Sequence, residues 1–60
     1  MTVAERILKQ WRIGNKEGAE TMAQDEMVEW SNDWQNEKTT FTFHDGSAIT
    51  FHGSLCYIVE

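Results

Sequence analysis

The sequence predicts an α+β fold in which two N-terminal helices pack on one face of a small antiparallel β-meander. Three observations predict it. Apolar residues recur at three- and four-residue steps through residues 2–35. From residue 39 onward, large apolar residues alternate with polar ones. Two short glycine-containing segments, 44–46 and 53–54, divide this alternating part into three strands.

The first helix is predicted over residues 2–12. Thr2 and Glu5 have the spacing of a capping box, in which side chains bond the exposed backbone amides of a helix's first turn. Gly14-Asn15 supplies the stop, because glycine readily adopts the left-handed conformation that often follows a helix. The polar side of this helix is basic and carries Arg6, Lys9 and Arg12.

A longer second helix is predicted over residues 17–35, after a linker whose last flexible point is Gly18. Its apolar residues recur at helical spacing: Ala19, Met22, Ala23, Met27, Trp30 and Trp34. The carboxylates of Asp25, Glu29 and Asp33 run along its flank at i, i+4 spacing. No lysine lies between them, so each like-charge pair costs about a few tenths of a kcal/mol.

A β-hairpin and a third strand are predicted over residues 39–52 and 55–59. The large apolar residues of the hairpin are Phe41, Phe43, Ile49 and Phe51. They share one face only if paired residue numbers have an even sum, because side chains alternate between faces. That register requires a three-residue loop, and His44-Asp45-Gly46 fits it with Gly46 at the left-handed position.

Composition is typical of one small folded domain over residues 1–60. Three Trp, three Phe and one Tyr are generous for a chain that buries only about 60% of its unfolded surface. Cys56 is the single cysteine, which excludes an intramolecular disulfide and suggests a reducing cytoplasm. No leader segment and no apolar run of about 20 residues is present, so we expect neither secretion nor membrane insertion.

Charge is segregated along the chain. Ten Asp and Glu oppose five Lys and Arg, which argues against a conventional nucleic-acid-binding protein. Four of the five bases lie in residues 1–16, whereas residues 17–37 hold seven acids and no base. Two interpretations stay open. In the first, the acids form a solvated face that keeps the protein soluble, or they are neutralised internally by Arg6, Lys9 and Arg12. In the second, they imitate the spaced charges of a nucleic-acid backbone or bind a basic partner.

Two histidines and an aspartate near a glycine are the residues that suggest chemistry. Strand geometry places His44 and His52 roughly 13 to 20 Å apart, too far to bind one metal. Asp45 before a glycine is typical of a hairpin turn. Cys56 is expected to face the core beside Ile58, where thiols are unreactive. We therefore predict no enzyme, no catalytic residue, no metal site and no cofactor.

The predicted function is binding of a protein partner with a basic surface, without direct binding of nucleic acid or membrane. The expected contact residues are acids and tryptophans: Glu20, Asp25, Glu26, Glu29, Asp33, Glu37, Trp30 and Trp34. All three tryptophans lie on apolar helical arcs, which favours the core. Any indole that the core cannot enclose would form an exposed aromatic patch, which is typical of an interface.

In size and charge the chain resembles accessory proteins that bacteriophages and mobile elements encode to inhibit host machinery, some by imitating DNA. Two alternatives use other parts of the chain. The run 55–59 is uncharged and strand-prone, and its open edge favours a homodimer or a larger structural assembly. A DNA-associated regulator would use Arg6, Lys9 and Arg12, although three bases beside ten acids make a poor basic footprint.

Overall fold

The computed structural model describes residues 1–59 and contains two helices followed by a four-stranded antiparallel sheet. The elements are α1 (Val3–Arg12), α2 (Lys16–Glu26), β1 (Met27–Asp33), β2 (Lys38–Phe43), β3 (Ala48–His52) and β4 (Leu55–Val59). Each strand pairs with its neighbours in the chain, in the order β1-β2-β3-β4. The predicted α+β class with a meander is confirmed, and the sheet has one strand more than predicted.

The second helix ends at Glu26, so the predicted helix over residues 17–35 was wrong beyond that point. Met27 already has extended dihedral angles (φ −63°, ψ 142°), and the chain enters β1 without an intervening loop. A longer helix would have stacked Glu29 and Asp33 on the flank of Asp25. The repulsion that this row implied is relieved because the helix stops, and valine and tryptophan favour the strand that replaces it.

Both helices begin at local capping residues, and α1 also ends at one. Thr2 Oγ1 accepts a hydrogen bond from the backbone N–H of Glu5 (3.1 Å), as the capping box predicts. The Glu5 carboxylate in turn accepts from the Thr2 hydroxyl (3.2 Å). Gly14, at φ 94°, ends α1. The Asn15 side chain then caps α2 by accepting a hydrogen bond from the N–H of Gly18 (3.1 Å). The linker is therefore shorter than predicted, and Gly18 lies in the helix.

The hairpin has the predicted register. Lys38 pairs with His52 and Thr42 with Ala48, so paired residue numbers have an even sum. The loop of residues 44–46 is closed by hydrogen bonds between Phe43 and its two partners: the Phe43 N–H donates to the Ser47 carbonyl (2.9 Å), and the Gly46 N–H donates to the Phe43 carbonyl (3.0 Å). Gly46 has φ 87°, which is the left-handed position predicted for it.

The helices cover one face of the sheet, over the three strands that follow β1. α1 packs across β3 and β4, and α2 packs on β2. The buried core consists of Val3, Ala4, Ile7, Ala19, Ala23, Phe41, Phe43, Ile49 and Phe51. Cys56 and Ile58 pack against this core from β4, as predicted. Within residues 1–59, neither helix is long and apolar enough to cross a membrane.

Candidate functional site

The loop between β2 and β3, which carries the histidine and aspartate that suggested chemistry, caps the start of α1. The Asp45 carboxylate accepts hydrogen bonds from the backbone N–H groups of Val3 (2.9 Å) and Ser47 (3.0 Å). The Ser47 hydroxyl accepts from the N–H of Ala4 (3.2 Å). Together with the Thr2 cap, these bonds satisfy the amides that the first helical turn leaves free. Asp45 therefore has a structural role that extends beyond its own turn.

These hydrogen bonds also determine the charge of Asp45. A bond from the Ser47 hydroxyl, followed by bonds from the N–H groups of Val3 and Ser47, lowers the pKa of Asp45 to about 2. The group is ionised at neutral pH and is poorly suited to exchange protons there, because a general acid or base works best with a pKa near the working pH.

The histidines lie apart, as the register predicted. His44 occupies the loop, whereas His52 lies opposite Lys38 at the far end of β3. His44 Nε2 lies 3.9 Å from Glu26 Oε2, an ion pair that forms only when the imidazole is protonated. In the part of the chain that the structure describes, no three His, Cys, Asp or Glu residues cluster closely enough to hold a metal ion.

Cys56 is half-buried beneath α1. Burial raises the pKa of its thiol to about 11, although the nearby Arg12 guanidinium opposes this rise. The thiolate is the nucleophilic form of cysteine, so a thiol with this pKa is a weak nucleophile at neutral pH. The position and the pKa both agree with the predicted role in the core.

The acids predicted to form one helical row are divided between three elements. Glu20, Asp25 and Glu26 are exposed on α2, Glu29 and Asp33 lie on β1, and Glu37 lies in the loop that follows β1. The helical flank joining Asp25, Glu29 and Asp33 was therefore wrong. Because β1 follows α2 directly and forms an edge of the sheet, the acids of β1 lie next to those of α2 in the chain but not on the same face of the sheet.

The three tryptophans have different surroundings. Trp30 lies opposite Phe41 on the helix-facing side of the sheet, yet it is 58% exposed because the helices do not extend over β1. Trp34 follows the strand and is 84% exposed. Trp11 alone contributes to the interior, with its ring 5.3 Å from that of Phe51. The predicted core position was therefore wrong for Trp30 and Trp34, whose indoles are exposed as in the alternative prediction.

Glu29 and Asp33 project from the opposite, helix-free face of β1, where they pair with Thr42 and Lys38. A hydrogen bond from the Asn36 side chain (2.7 Å) is the main cause that lowers the pKa of Asp33, and Lys38 contributes less. In the described chain, His44 and Glu26 are the only oppositely charged side chains whose nitrogen and oxygen atoms lie within 4.0 Å of each other. No arginine or lysine of α1 therefore neutralises the acids by direct pairing.

A groove of about 350 Å³ lies between α2 and β1. Its lining consists of Gln24, Met27, Trp30, Thr39 and Phe41. A second groove of about 250 Å³ shares three of these residues and is also lined by Glu20 and Phe51. Gln24 and Met27 were not predicted to belong to the site, because their exposure depends on the helix ending at Glu26. We refer to the first groove with Glu20, Glu29, Asp33 and Trp34 as the β1 surface.

Comparison with known proteins finds no family model, no curated protein and no solved structure that matches this chain. The chemistry of the β1 surface is therefore the basis for assigning a function.

Proposed function

We propose that this chain is a non-enzymatic protein-binding module whose β1 surface binds a partner with a basic surface. The observation that carries this proposal is the combination of two exposed indoles, Trp30 and Trp34, with carboxylates that no arginine or lysine pairs within 4.0 Å in residues 1–59. Indoles supply large contact area, and unpaired carboxylates supply charge complementarity.

Net charge and its distribution favour a basic partner. The formal net charge is −5, and the acids concentrate on α2, β1 and the loop after β1. Such a field attracts a positively charged surface, accelerates its association and weakens as salt is added. An acidic or neutral partner would gain nothing from it.

The groove beside Trp30 supplies the apolar part of the contact. The ring of Trp30 forms one wall, and Met27 and Phe41 line the rest of its apolar interior. A tryptophan at the edge of a pocket is typical of residues that contribute most of the binding free energy at protein interfaces. We expect the partner to insert an apolar side chain here and to extend around the edge strand, so that its lysines or arginines contact Glu29 and Asp33 on the opposite face of β1.

The features of β1 favour binding through side chains over addition of a partner strand. The register of β1 shifts between Met27 and Glu29, which is a β-bulge. Bulges and charged side chains both hinder strand addition at a sheet edge. Glu29 and Asp33 supply the charges, so the backbone edge of β1 is protected while its side chains stay accessible.

The size and charge of the chain favour the role of an accessory inhibitor, encoded by a phage or mobile element and acting in the cytoplasm on host machinery. In this role the spaced carboxylates of the β1 surface would imitate the phosphates of a nucleic acid and occupy the basic site of a nucleic-acid-binding protein. The proposal involves no cofactor and no direct contact of this chain with nucleic acid.

Affinity capture from lysate of the source cells, combined with carbodiimide crosslinking, tests the proposal. Carbodiimide joins carboxylates directly to lysines, so mapped crosslinks should connect Glu29 or Asp33 to lysines of the captured protein. A variant that changes Asp25, Glu29 and Asp33 to Lys should stay folded by circular dichroism and lose capture. Glu17→Lys, an exposed acid at the start of α2, is the matched control and should retain capture.

The salt dependence of capture and the effect of a tryptophan substitution test the proposal further. Capture should weaken strongly from low to high salt, and Trp30→Ala should reduce it more than Glu17→Lys does. Unimpaired capture by the triple lysine variant, or crosslinks confined to α1, would exclude the β1 surface as the binding site.

A homo-oligomeric structural module is the second candidate function that we propose, because β4 forms the other edge of the sheet. Among residues 1–59, β4 pairs with β3 alone. Leu55, Tyr57 and Val59 are 60%, 39% and 44% exposed on the helix-free face. An uncharged open edge with exposed apolar side chains favours pairing with another copy.

A further inference from the structure

We propose that two copies of this chain form a two-fold symmetric dimer, in which β4 pairs antiparallel with β4 of the second copy and α1 packs beside α1. The proposal rests on the second candidate function and gives it a specific geometry. It uses the edge opposite to the β1 surface, so the two surfaces are tested separately.

The two edges of the sheet differ in their protection against strand addition. β1 carries Glu29, Asp33 and a β-bulge. β4 reads Leu-Cys-Tyr-Ile-Val, with no charge, no proline and an unbroken register against β3. Natural proteins place charges, prolines or bulges on edges that must stay unpaired. Their absence from the described part of β4 indicates an edge that accepts another strand.

The flank of α1 beside β4 is complementary to itself. A groove of about 480 Å³ runs between α1 and Ile58, and α1 lines it with a stripe that includes Glu5, Leu8, Lys9 and Arg12. The acid lies toward the N-terminal end of the stripe, Leu8 and Lys9 lie in the middle, and Arg12 lies toward the C-terminal end. If two such helices pack antiparallel, each Glu5 faces Arg12 of the second copy, while the two Leu8 side chains meet. This pattern is what a two-fold interface requires.

The position of α1 over the sheet makes the strand pairing and the helix pairing compatible. The start of α1 is bound to the loop before β3, next to Ala48, which pairs with Val59. Its end lies near Cys56, because the Trp11 ring lies 5.3 Å from the ring of Phe51, which pairs with Cys56. α1 therefore runs antiparallel to β4, and the middle of the helix lies over the middle of the strand. A single two-fold axis can pass beside Tyr57 and Leu8 together.

Distances agree with this arrangement. Paired strands lie about 4.8 Å apart, and α1 packs across β3 and β4. Each α1 axis would then lie about 5 Å from the two-fold axis, so the two helices would be about 10 Å apart. That separation is a normal packing distance for helices. Occupying the groove beside Ile58 with the second α1 removes its apolar lining from water.

The helix-free face gains a row of apolar contacts across the same axis. With the axis beside Tyr57, the two Tyr57 side chains are neighbours, and Leu55 of each copy lies opposite Val59 of the other. All three side chains are exposed in the single chain. The result is an eight-stranded sheet with a β1 surface at each far edge, about 34 Å apart, so the dimer would present two sites to a partner.

Disulfide trapping tests the register of the dimer. In a Cys56→Ala background, Tyr57→Cys places two thiols opposite each other across the axis, within the range that a disulfide spans. Mild oxidation should convert most of this variant to a covalent dimer. Leu55→Cys in the same background is the matched control. Its two thiols lie about 14 Å apart along the strands, so it should stay uncrosslinked.

Sedimentation or light scattering at several protein concentrations tests the contacts. The unmodified chain should have twice its 7.0 kDa mass at high micromolar concentration. Leu55→Lys combined with Val59→Lys should shift it to monomer at every concentration, whereas Val28→Lys, on the opposite edge, should leave the dimer intact. Glu5→Arg alone and Arg12→Glu alone should each raise the dimer Kd by about twofold to thirtyfold, and combining them should restore it.

A chain that stays monomeric at high concentration would overturn the proposal. So would a dimer that is trapped through Leu55→Cys instead of Tyr57→Cys, or one that survives the two lysines in β4. The β1 surface remains intact in each of these variants, so partner capture should persist in the lysine variant. Loss of the dimer with retained capture would leave the binding module standing and remove only its symmetric assembly.

Discussion

The backbone N–H of Val3 donates a hydrogen bond to the carboxylate of Asp45 at 2.9 Å, across 42 residues of sequence. The neighbouring bond from the Ala4 N–H to the Ser47 hydroxyl (3.2 Å) fastens the same helical turn to the same loop. These two bonds fix where α1 begins over the sheet. They therefore place its charged flank beside β4 and the groove next to Ile58, on which the proposed dimer depends.

Removing the Asp45 carboxylate should destabilise the whole domain. Asp45→Ala leaves the Val3 N–H without its acceptor and weakens the loop, because Asp45 also bonds Ser47. We expect Tm to fall by a few degrees in thermal melts followed by circular dichroism. Asp25→Ala, an exposed acid on α2, is the control and should leave Tm nearly unchanged. Equal effects of the two substitutions would mean that the cap contributes nothing.

The stability that Asp45 contributes should depend on pH in a defined direction. Its pKa is lowered in the folded state from 3.8 to about 2, so its contribution is present above pH 4 and disappears as the pH falls toward 2. Urea midpoints of the unmodified chain and of Asp45→Asn, measured between pH 6 and pH 2, should therefore converge at the acid end. A difference that grows as the pH falls would contradict the lowered pKa.

Gly46 should tolerate substitution only by residues that accept the left-handed conformation. Its φ is 87°, and a Cβ built there meets nothing within 4 Å, so backbone strain alone decides the cost. We expect Gly46→Val to lower the free energy of unfolding by about 1 to 3 kcal/mol, and Gly46→Asn to lower it by less. Urea unfolding measures both. Full stability of the valine variant would place the turn elsewhere.

Truncation of a core aromatic residue should destabilise the fold strongly, whereas truncation of an exposed one should change its stability little. Phe43 is 2% exposed, so Phe43→Ala should cost about 3 to 5 kcal/mol through the lost contacts and the cavity left behind. Trp34→Ala removes a larger ring from an exposed position and should change stability by less than about 0.5 kcal/mol. A large loss from Trp34→Ala in urea unfolding would show that this indole belongs to the fold and is not free to bind.

Cys56 should react slowly in the folded protein. Because burial raises the pKa of its thiol to about 11, modification by a disulfide reagent at pH 8 should be far slower than in urea. The rate should rise about tenfold per pH unit between pH 8 and pH 10, as the thiolate fraction rises. A rate at pH 8 equal to that of a small free thiol would show that Cys56 is accessible and ionised.

The strongest sequence predictions concern the hairpin and the first helix. Alternation of Phe41, Phe43, Ile49 and Phe51 determined the strand faces, and the even register then required the three-residue loop that ends at Gly46. Thr2 and Glu5 determined the start of α1. These features follow from neighbours in sequence, whose geometry is set by local dihedral preferences and by side-chain period.

The boundary between α2 and β1 could not be predicted from the sequence. Met27, Trp30 and Trp34 satisfy helical spacing, and nothing nearby in the chain marks Glu26 as the end of a helix. Pairing of Trp30 with Phe41 makes residues 27–33 a strand, because hydrogen bonds to the edge of β2 outweigh local helix propensity. The error moved the tryptophans from the predicted core to the surface and produced the groove beside them.

The sequence by itself determined the class of fold, the segregation of charge and the identity of the acids and tryptophans at issue. The tertiary structure decided which of them meet. It brought Asp45 to α1, divided the acids between α2, β1 and the following loop, and left β4 as an edge without protective charges in the described chain. The reason is physical: local preference extends over a turn or two, whereas exposure and pairing depend on which distant segment covers a surface.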